Sequence, residues 1–450
     1  MQDWLGNDVT AAGPATVAGI DDFIGGFLSY ETRAGNILAA ADADADSALA
    51  NAYAAMLWLF LESRDGPPKA APYLARAEAA APRATERERM TVAAVRAWAD
   101  TDIPAALAIG EQMASDFPRE LAIAKATQYH YFNVGDAPGM LRIAGKILPA
   151  SADLPYAHGL AAFAYEQCHM LADAEQAART AIRLQRKEPW AHHALAHVLL
   201  TQGRNDEGRA FLDEMKDTWT GLNSFMLTHN WWHLSLVMIE QGEGERVLDH
   251  YASHIWGVWK EYSQDQIGAV SLLARLELAG VDVGDRWQDL ADHLTPRVHE
   301  HVQPFLDMQY LYGLARAGRP EAQAMLDSVR GFAETAPAFV RPAWREVAVP
   351  ACVGLLAHAS GEYGTAARQL LSVLPRLSEI GGSHAQRDLF EQITDDALIR
   401  SGKLALAQNR LEQRRAGNPR SAPTLVRLAA VYGGLGLPGE AARVTANVRP

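Results

Sequence analysis

Two pairs of histidines stand four residues apart, His193 with His197 in the run WAHHALAHV and His229 with His233 in HNWWH. On a helix that spacing puts both imidazoles of a pair on one face, one turn apart. Four imidazoles with a nearby carboxylate, here Glu166, form the donor set of a divalent transition ion, or of general acid–base work near neutral pH. Glu166, His193, His229 and His233 are therefore the candidate catalytic residues, with His197 beside them as a ligand-binding residue. The spacing names no particular metal. An HxxxH pair without the glutamate of HExxH also describes a hydrogen-bonded network with no chemistry, and both readings stay open here.

The elements that must position these residues follow from an internal repeat. Pro155-Tyr156 recurs as Pro189-Trp190 after 34 residues, and an earlier segment ends at Pro118, 37 residues before Pro155. A spacing near 34 is the tetratricopeptide period. Between the prolines, Tyr156, Gly159, Leu160, Phe163 and Ala164 form one stripe of helical period, and Ala174, Ala178 and Ile182 form the next. Each proline ends one helix pair and opens the next. The sequence predicts an all-α, tetratricopeptide-like superhelix of helical hairpins, an α-solenoid that curls far enough to close on itself. The first helices of such pairs line the concave wall, which brings both histidine pairs to one cavity. Three sections follow from changes in the pattern: N-terminal repeats over 1–152, a His/Trp-rich centre over 153–318 and C-terminal repeats over 319–450.

The centre is chemically distinct, because twelve of the fifteen histidines lie between His158 and His301 and seven of the eleven tryptophans between Trp190 and Trp287. Trp190, Trp231 and Trp232 are expected to wall the groove, although a tryptophan stripe also serves packing alone. His250 and His254 form a third pair on a second helix, where surface placement is expected. His299-Glu300-His301 followed by Asp307 adds further donors, with a turn at Pro304 as the competing reading. Arg286-Trp287 offers a cation–π pair or a carboxylate clamp, set against a packing role. Ser383 after Gly381-Gly382 reads as a helix cap in competition with a functional role. Cys168 beside His169 is too close in sequence to form a protease pair by itself.

Composition removes several classes. Lys plus Arg total 41 against 54 Asp plus Glu, a net charge of −13 that argues against a nucleic-acid partner. Two cysteines 184 positions apart fit a reducing compartment and a cytoplasmic protein, without a disulfide framework. There is no apolar run long enough for a membrane span and no signal-peptide pattern at the N-terminus, so no membrane partner is expected. No Gly-rich phosphate loop and no GxSxG elbow occurs, so no nucleotide cofactor is expected.

Three segments, HNWWHLSLVMIEQGE, VDVGDRWQDL and IGGSHAQRDLFEQ, resemble in that order the tetratricopeptide repeat protein 38 family. Its members carry His-Asn-aromatic-Trp-His, Arg-Trp-Gln-Asp and Gly-Gly-Ser-x-Ala-Gln-Arg-Asp segments. The similarity runs from about Asp21 to the last repeat. It implies an α-helical repeat protein and marks His193, His197, His229, Asn230, Trp232, His233, Arg286, Trp287, Ser383, Gln386, Arg387 and Asp388 as a family pattern. It implies no settled activity. His158 stands where the family carries a lysine, and the family aspartate near Gly268 is absent. Two functions are consistent with these residues. One is a groove that binds a small molecule or peptide, in a monomer or a homo-oligomer. The other is a hydrolase or lyase built on the His/Glu cluster, with a divalent transition metal as its cofactor.

Overall fold

A computed structural model describes residues 1–448, and it contains twenty-four α-helices and no β-strand among those residues. From Ala48 onward the helices alternate as the two arms of successive hairpins. The turn between the arms repeats one conformation. Thr101, Gly135, His169 and Gly203 all have φ between 58° and 75°, and they follow one another at intervals of 34 residues. A left-handed residue at that point reverses the chain in the fewest residues, and glycine adopts it without strain. The sequence period is therefore the interval between these turns. Later turns of the same kind at Gly242, Gly280, Gly318, Gly361, Gly402 and Gly436 are spaced less evenly, by 34 to 43 residues. That irregularity is why the C-terminal copies look weak as sequence.

The chain divides into two compact units, one formed by Met1–Leu195 with Thr218–Met226, the other by Ala196–Asp217 with Leu227 onward. In the first unit the hairpins Ala48–Leu59/Gly66–Ala80, Glu86–Ala99/Ile103–Asp116, Leu121–Asn133/Ala137–Ile147 and Pro155–Gln167/Leu171–Leu184 follow in order. Small residues set the approach of their helices. A Cβ on Gly110 would sit 2.0 Å from Thr127 Oγ1, and one on Gly139 would sit 2.4 Å from the Tyr131 ring. Caps agree with the sequence: Thr85 and Glu88 form a capping box, and Asp102 and Asp136 accept from the first turns of their helices. Arg87, buried, pairs with Glu120 and with Asp3 at 3.5 Å, while Tyr53 donates to Glu120 at 2.8 Å.

In the second unit the hairpins run from Ser263–Leu278/Arg286–Leu294 through Pro304–Arg316/Glu321–Thr335 and Val349–Ala359/Tyr363–Val373 to His384–Arg400/Leu404–Gly417 and Ala422–Gly434/Pro438–Thr445. Their facing stripes bury Leu, Ala and Val, among them Leu398, Leu411, Leu425, Leu428 and Val431. Each such side chain removes apolar area worth ~1.5–3 kcal/mol from water. Two short π-helical turns, Tyr251–Ile255 and Ala343–Ala348, interrupt the regular pattern.

A candidate metal centre of buried histidines

His193 and His197 lie on the helix Pro189–Thr201, which starts at a proline and follows Glu188, whose carboxylate accepts from the Ala191 N–H. His229 and His233 lie on the helix Ser224–Glu240. All four are buried. In the second unit, one ring nitrogen each from His197, His229 and His233 lies within 4.8 Å of those of the other two, and no other group of three or more His, Cys, Asp or Glu among the described residues comes together in this way. In the second unit the His197 and His233 ring centroids are 4.5 Å apart, and those of His229 and His233 are 4.8 Å apart with the rings perpendicular. His229 also stacks on Trp232 at 5.2 Å.

Burial and mutual repulsion keep the His229 and His233 rings neutral. The pKa of His229 is pushed down to about 3 by burial first and by His197 second. That of His233 is held well below the ordinary value by burial, then by His197, His229 and Arg275. A neutral imidazole presents a lone pair, which is the form that binds a metal. Bonds of ~2.0–2.1 Å to a tetrahedral ion set the ligand atoms ~3.4 Å apart, so binding would draw the rings slightly inward.

A buried cation missed by the sequence reading adjoins this group. Arg275, on the helix Ser263–Leu278, lies over the Trp232 ring at 5.4 Å, donates to Ser271 Oγ and the Ala385 carbonyl at 2.6 Å each, and faces Asp388 at 3.8 Å. Its signal in the sequence was an arginine inside the apolar run SLLARLEL, an expensive residue to bury without a partner. In the first unit a second such pair was missed. Lys125 is buried over the Tyr30 ring at 3.2 Å and its pKa is driven well down by burial, while burial raises that of Glu188 to about 8.

The other sequence candidates are distributed as follows. Glu166 is buried in the first unit and accepts from the neighbouring Gln167 amide. Trp190 stacks on His193 at 4.4 Å, with Phe163 edge-on at 4.7 Å. Asn230 and Trp232 are buried on the same helix as His229. Trp231 turns the other way and stacks on His254 at 3.8 Å, with His250 edge-on. A shift of one residue on a helix rotates a side chain by ~100°, so adjacent tryptophans serve different faces. His158 binds the Ala152 carbonyl at 2.9 Å. Arg286 donates to the Val283 carbonyl at 2.9 Å, and Trp287 is buried edge-on to Tyr312. Ser383 and Gln386 are engaged with each other in a capping box. Arg387 donates to the Gly382 carbonyl, and Asp388 pairs with Arg414 at 2.6 Å. Of the segment 383–388, Ala385, through its carbonyl, and Asp388, through its carboxylate, are thus linked by Arg275 to Trp232.

No family model matches the chain. Among solved structures, the human IFIT1 dimer with PPP-AAAA is 13% identical, covers 85% of this chain and 86% of its own, and has a TM-score of 0.37. The IFIT1 monomeric mutant with Gppp-AAAA is 12% identical, covers 89% and 90%, and has a TM-score of 0.41. A Naa15/Naa10 structure bound to HypK-THB is 14% identical over 80% of this chain and 63% of its own, with a TM-score of 0.20. The likeness is one of tetratricopeptide-like helical repeats. Those IFIT1 structures hold oligonucleotides, and this corrects the expectation that nucleic acid is excluded as a partner. A charge of −13 summed over the whole chain does not set the local sign of any one face. Among the described residues no helix is long and apolar enough to cross a membrane.

Proposed function

We propose that the protein holds one divalent transition ion on His197, His229 and His233 and binds a small anionic or carbonyl-bearing molecule at that ion. The observation that carries this reading is the mutual approach of the three buried ring nitrogens within 4.8 Å in the second unit. Three uncharged ligands leave the ion an open position and its full double positive charge, the largest local charge in the site. A buried charge of that size favours a ligand that supplies negative charge. Trp232, which stacks on His229, supplies a flat apolar surface next to the rings. The same segments support membership of the tetratricopeptide repeat protein 38 family, with the metal centre in the middle section over 153–318. Cys168 and Cys352 are both free thiols, which suits a reducing cytoplasm.

Elemental analysis of the purified protein tests the reading, after stripping with chelator and reloading with Zn²⁺, Mn²⁺ or Fe²⁺ in turn. The expected result is about one ion per chain with one of these metals, lost in the variant carrying both His197→Ala and His229→Ala while the helical circular dichroism is retained. Failure of all three metals to bind folded wild-type protein would overturn it.

A further inference from the structure

A second constellation lies in the second unit, on residues that the histidine metal centre does not use. His301 Nδ1 is 2.6 Å from Asp307 Oδ2, His301 Nε2 is 2.7 Å from Ser328 Oγ, and His299 Nδ1 is 2.6 Å from the same hydroxyl. Proton accounting orders this chain. The buried Asp307 carboxylate can only accept, so His301 Nδ1 carries its proton and Nε2 presents a lone pair to the Ser328 O–H. The hydroxyl oxygen then accepts from the Nδ1–H of His299. This is the order of a serine, a base and an orienting acid, and such relays are recognised by geometry rather than by sequence order. A triad also needs access. Ser328 is half-buried on the helix Glu321–Thr335 and His299 is exposed, whereas Asp307 is fully buried.

Two further observations support a built site. His301 has φ 52°, a left-handed conformation that a non-glycine residue adopts at a cost and that concentrates at functional positions. Its ring is clamped face-on by Phe332 at 4.9 Å and edge-on by Trp344 at 6.0 Å, which fixes the orientation of Nε2 toward the helix. Val302, next in the chain to His301, is exposed and offers apolar surface there.

We propose that Ser328, His301 and Asp307 form an esterase site for small uncharged esters with an apolar acyl group. Ser328 Oγ forms a bond to the ester carbonyl carbon while its proton passes to His301 Nε2. Collapse of the adduct breaks the carbon–alkoxide bond, and the same proton leaves with the alcohol. Water then attacks the acyl-serine, gives a proton to His301 and releases the carboxylic acid with Ser328 restored. Asp307 holds the ring and balances the imidazolium, and the His299 N–H beside Oγ is the donor nearest the developing oxyanion.

The test is labelling with a fluorophosphonate, with the modified residue mapped by mass spectrometry, together with p-nitrophenyl butyrate hydrolysis. The expected outcome is phosphonylation at Ser328, abolished by Ser328→Ala and slowed at least ~100-fold by His301→Gln, with ester turnover falling in parallel and melting curves showing that the variants fold. Absence of label at Ser328 in the folded wild-type protein overturns the proposal whether or not any variant folds. So does an unchanged labelling rate in folded His301→Gln. Neither readout depends on metal loading, so failure of the metal-centre reading leaves this result intact.

Discussion

Acidification should destabilise this protein by an amount that one residue lets us work out. His130, in the first unit, is buried edge-on to Trp98 at 4.8 Å and beside Tyr129 at 5.5 Å. Burial alone pushes its pKa down to about 3, against 6.5 for the exposed side chain. Between those two values the unfolded chain binds a proton that the folded chain does not, so stability rises with pH across that window and is lost as the pH falls. From pH 7 to pH 5 the unfolded state gains ~2 kcal/mol from this one group. Replacing the ring by an apolar aromatic of similar shape, His130→Phe, keeps the edge contacts and removes the titration. Urea unfolding of wild type and variant at both pH values, followed by tryptophan fluorescence, isolates the term as a difference of differences. The variant should lose ~2 kcal/mol less than wild type on acidification. Equal losses in the two proteins would refute the claim that His130 is buried neutral and charges only on unfolding.

Two substitutions test how the elements are built. Ser383→Ala removes a cap whose hydroxyl accepts from the Gln386 N–H, and it should cost ~1 kcal/mol in chemical denaturation while leaving metal stoichiometry unchanged. Gly110→Ala places a methyl group where the Thr127 side chain now sits, 2.0 Å from its Oγ1, and Thr127 Oγ1 also donates to the Ile123 carbonyl at 2.7 Å. Overpacking of that kind costs ~1–3 kcal/mol, so a lowered melting temperature is expected, and an unchanged or raised one would show that the helices part easily.

The hairpin array was legible because the period is carried by residues with a local cause. Pro155 and Pro189 open helices in the structure as their fixed φ requires, and alanine stripes fill the close approaches. The regular turn at Thr101, Gly135, His169 and Gly203 was harder to read, because two of its four members are not glycine. Threonine and histidine there pay a backbone cost that no propensity scale marks. The histidine pairs were legible for the same reason as the helices, since a spacing of four is a statement about one face. Their partners were not. Arg275 reaches Trp232 from 43 positions along the chain, and Asp388 reaches Arg275 from a further 113. Contacts at that separation follow from how hairpins stack, and hydrophobic period does not encode which polar residues end up opposite one another.

Ser328 shows the same limit more sharply. It sits half-buried on an amphipathic helix, in AMLDSVRG, where serine is the blandest of choices. His299, His301 and Asp307 were visible as a donor-rich cluster, but the turn before Pro304 gave no direction for their rings. The backbone supplies it: with His301 at φ 52°, the imidazole is turned so that one nitrogen meets Asp307 and the other meets a hydroxyl 27 residues later. A single left-handed residue thus converts a run of polar side chains into an ordered relay. Relaxing that residue would separate the acid from the serine without removing either. A proline at 301 would abolish both its φ and its ring. The chemistry of this surface therefore depends on backbone conformation as much as on side-chain type, and that is the part of a site which residue spacing conveys least.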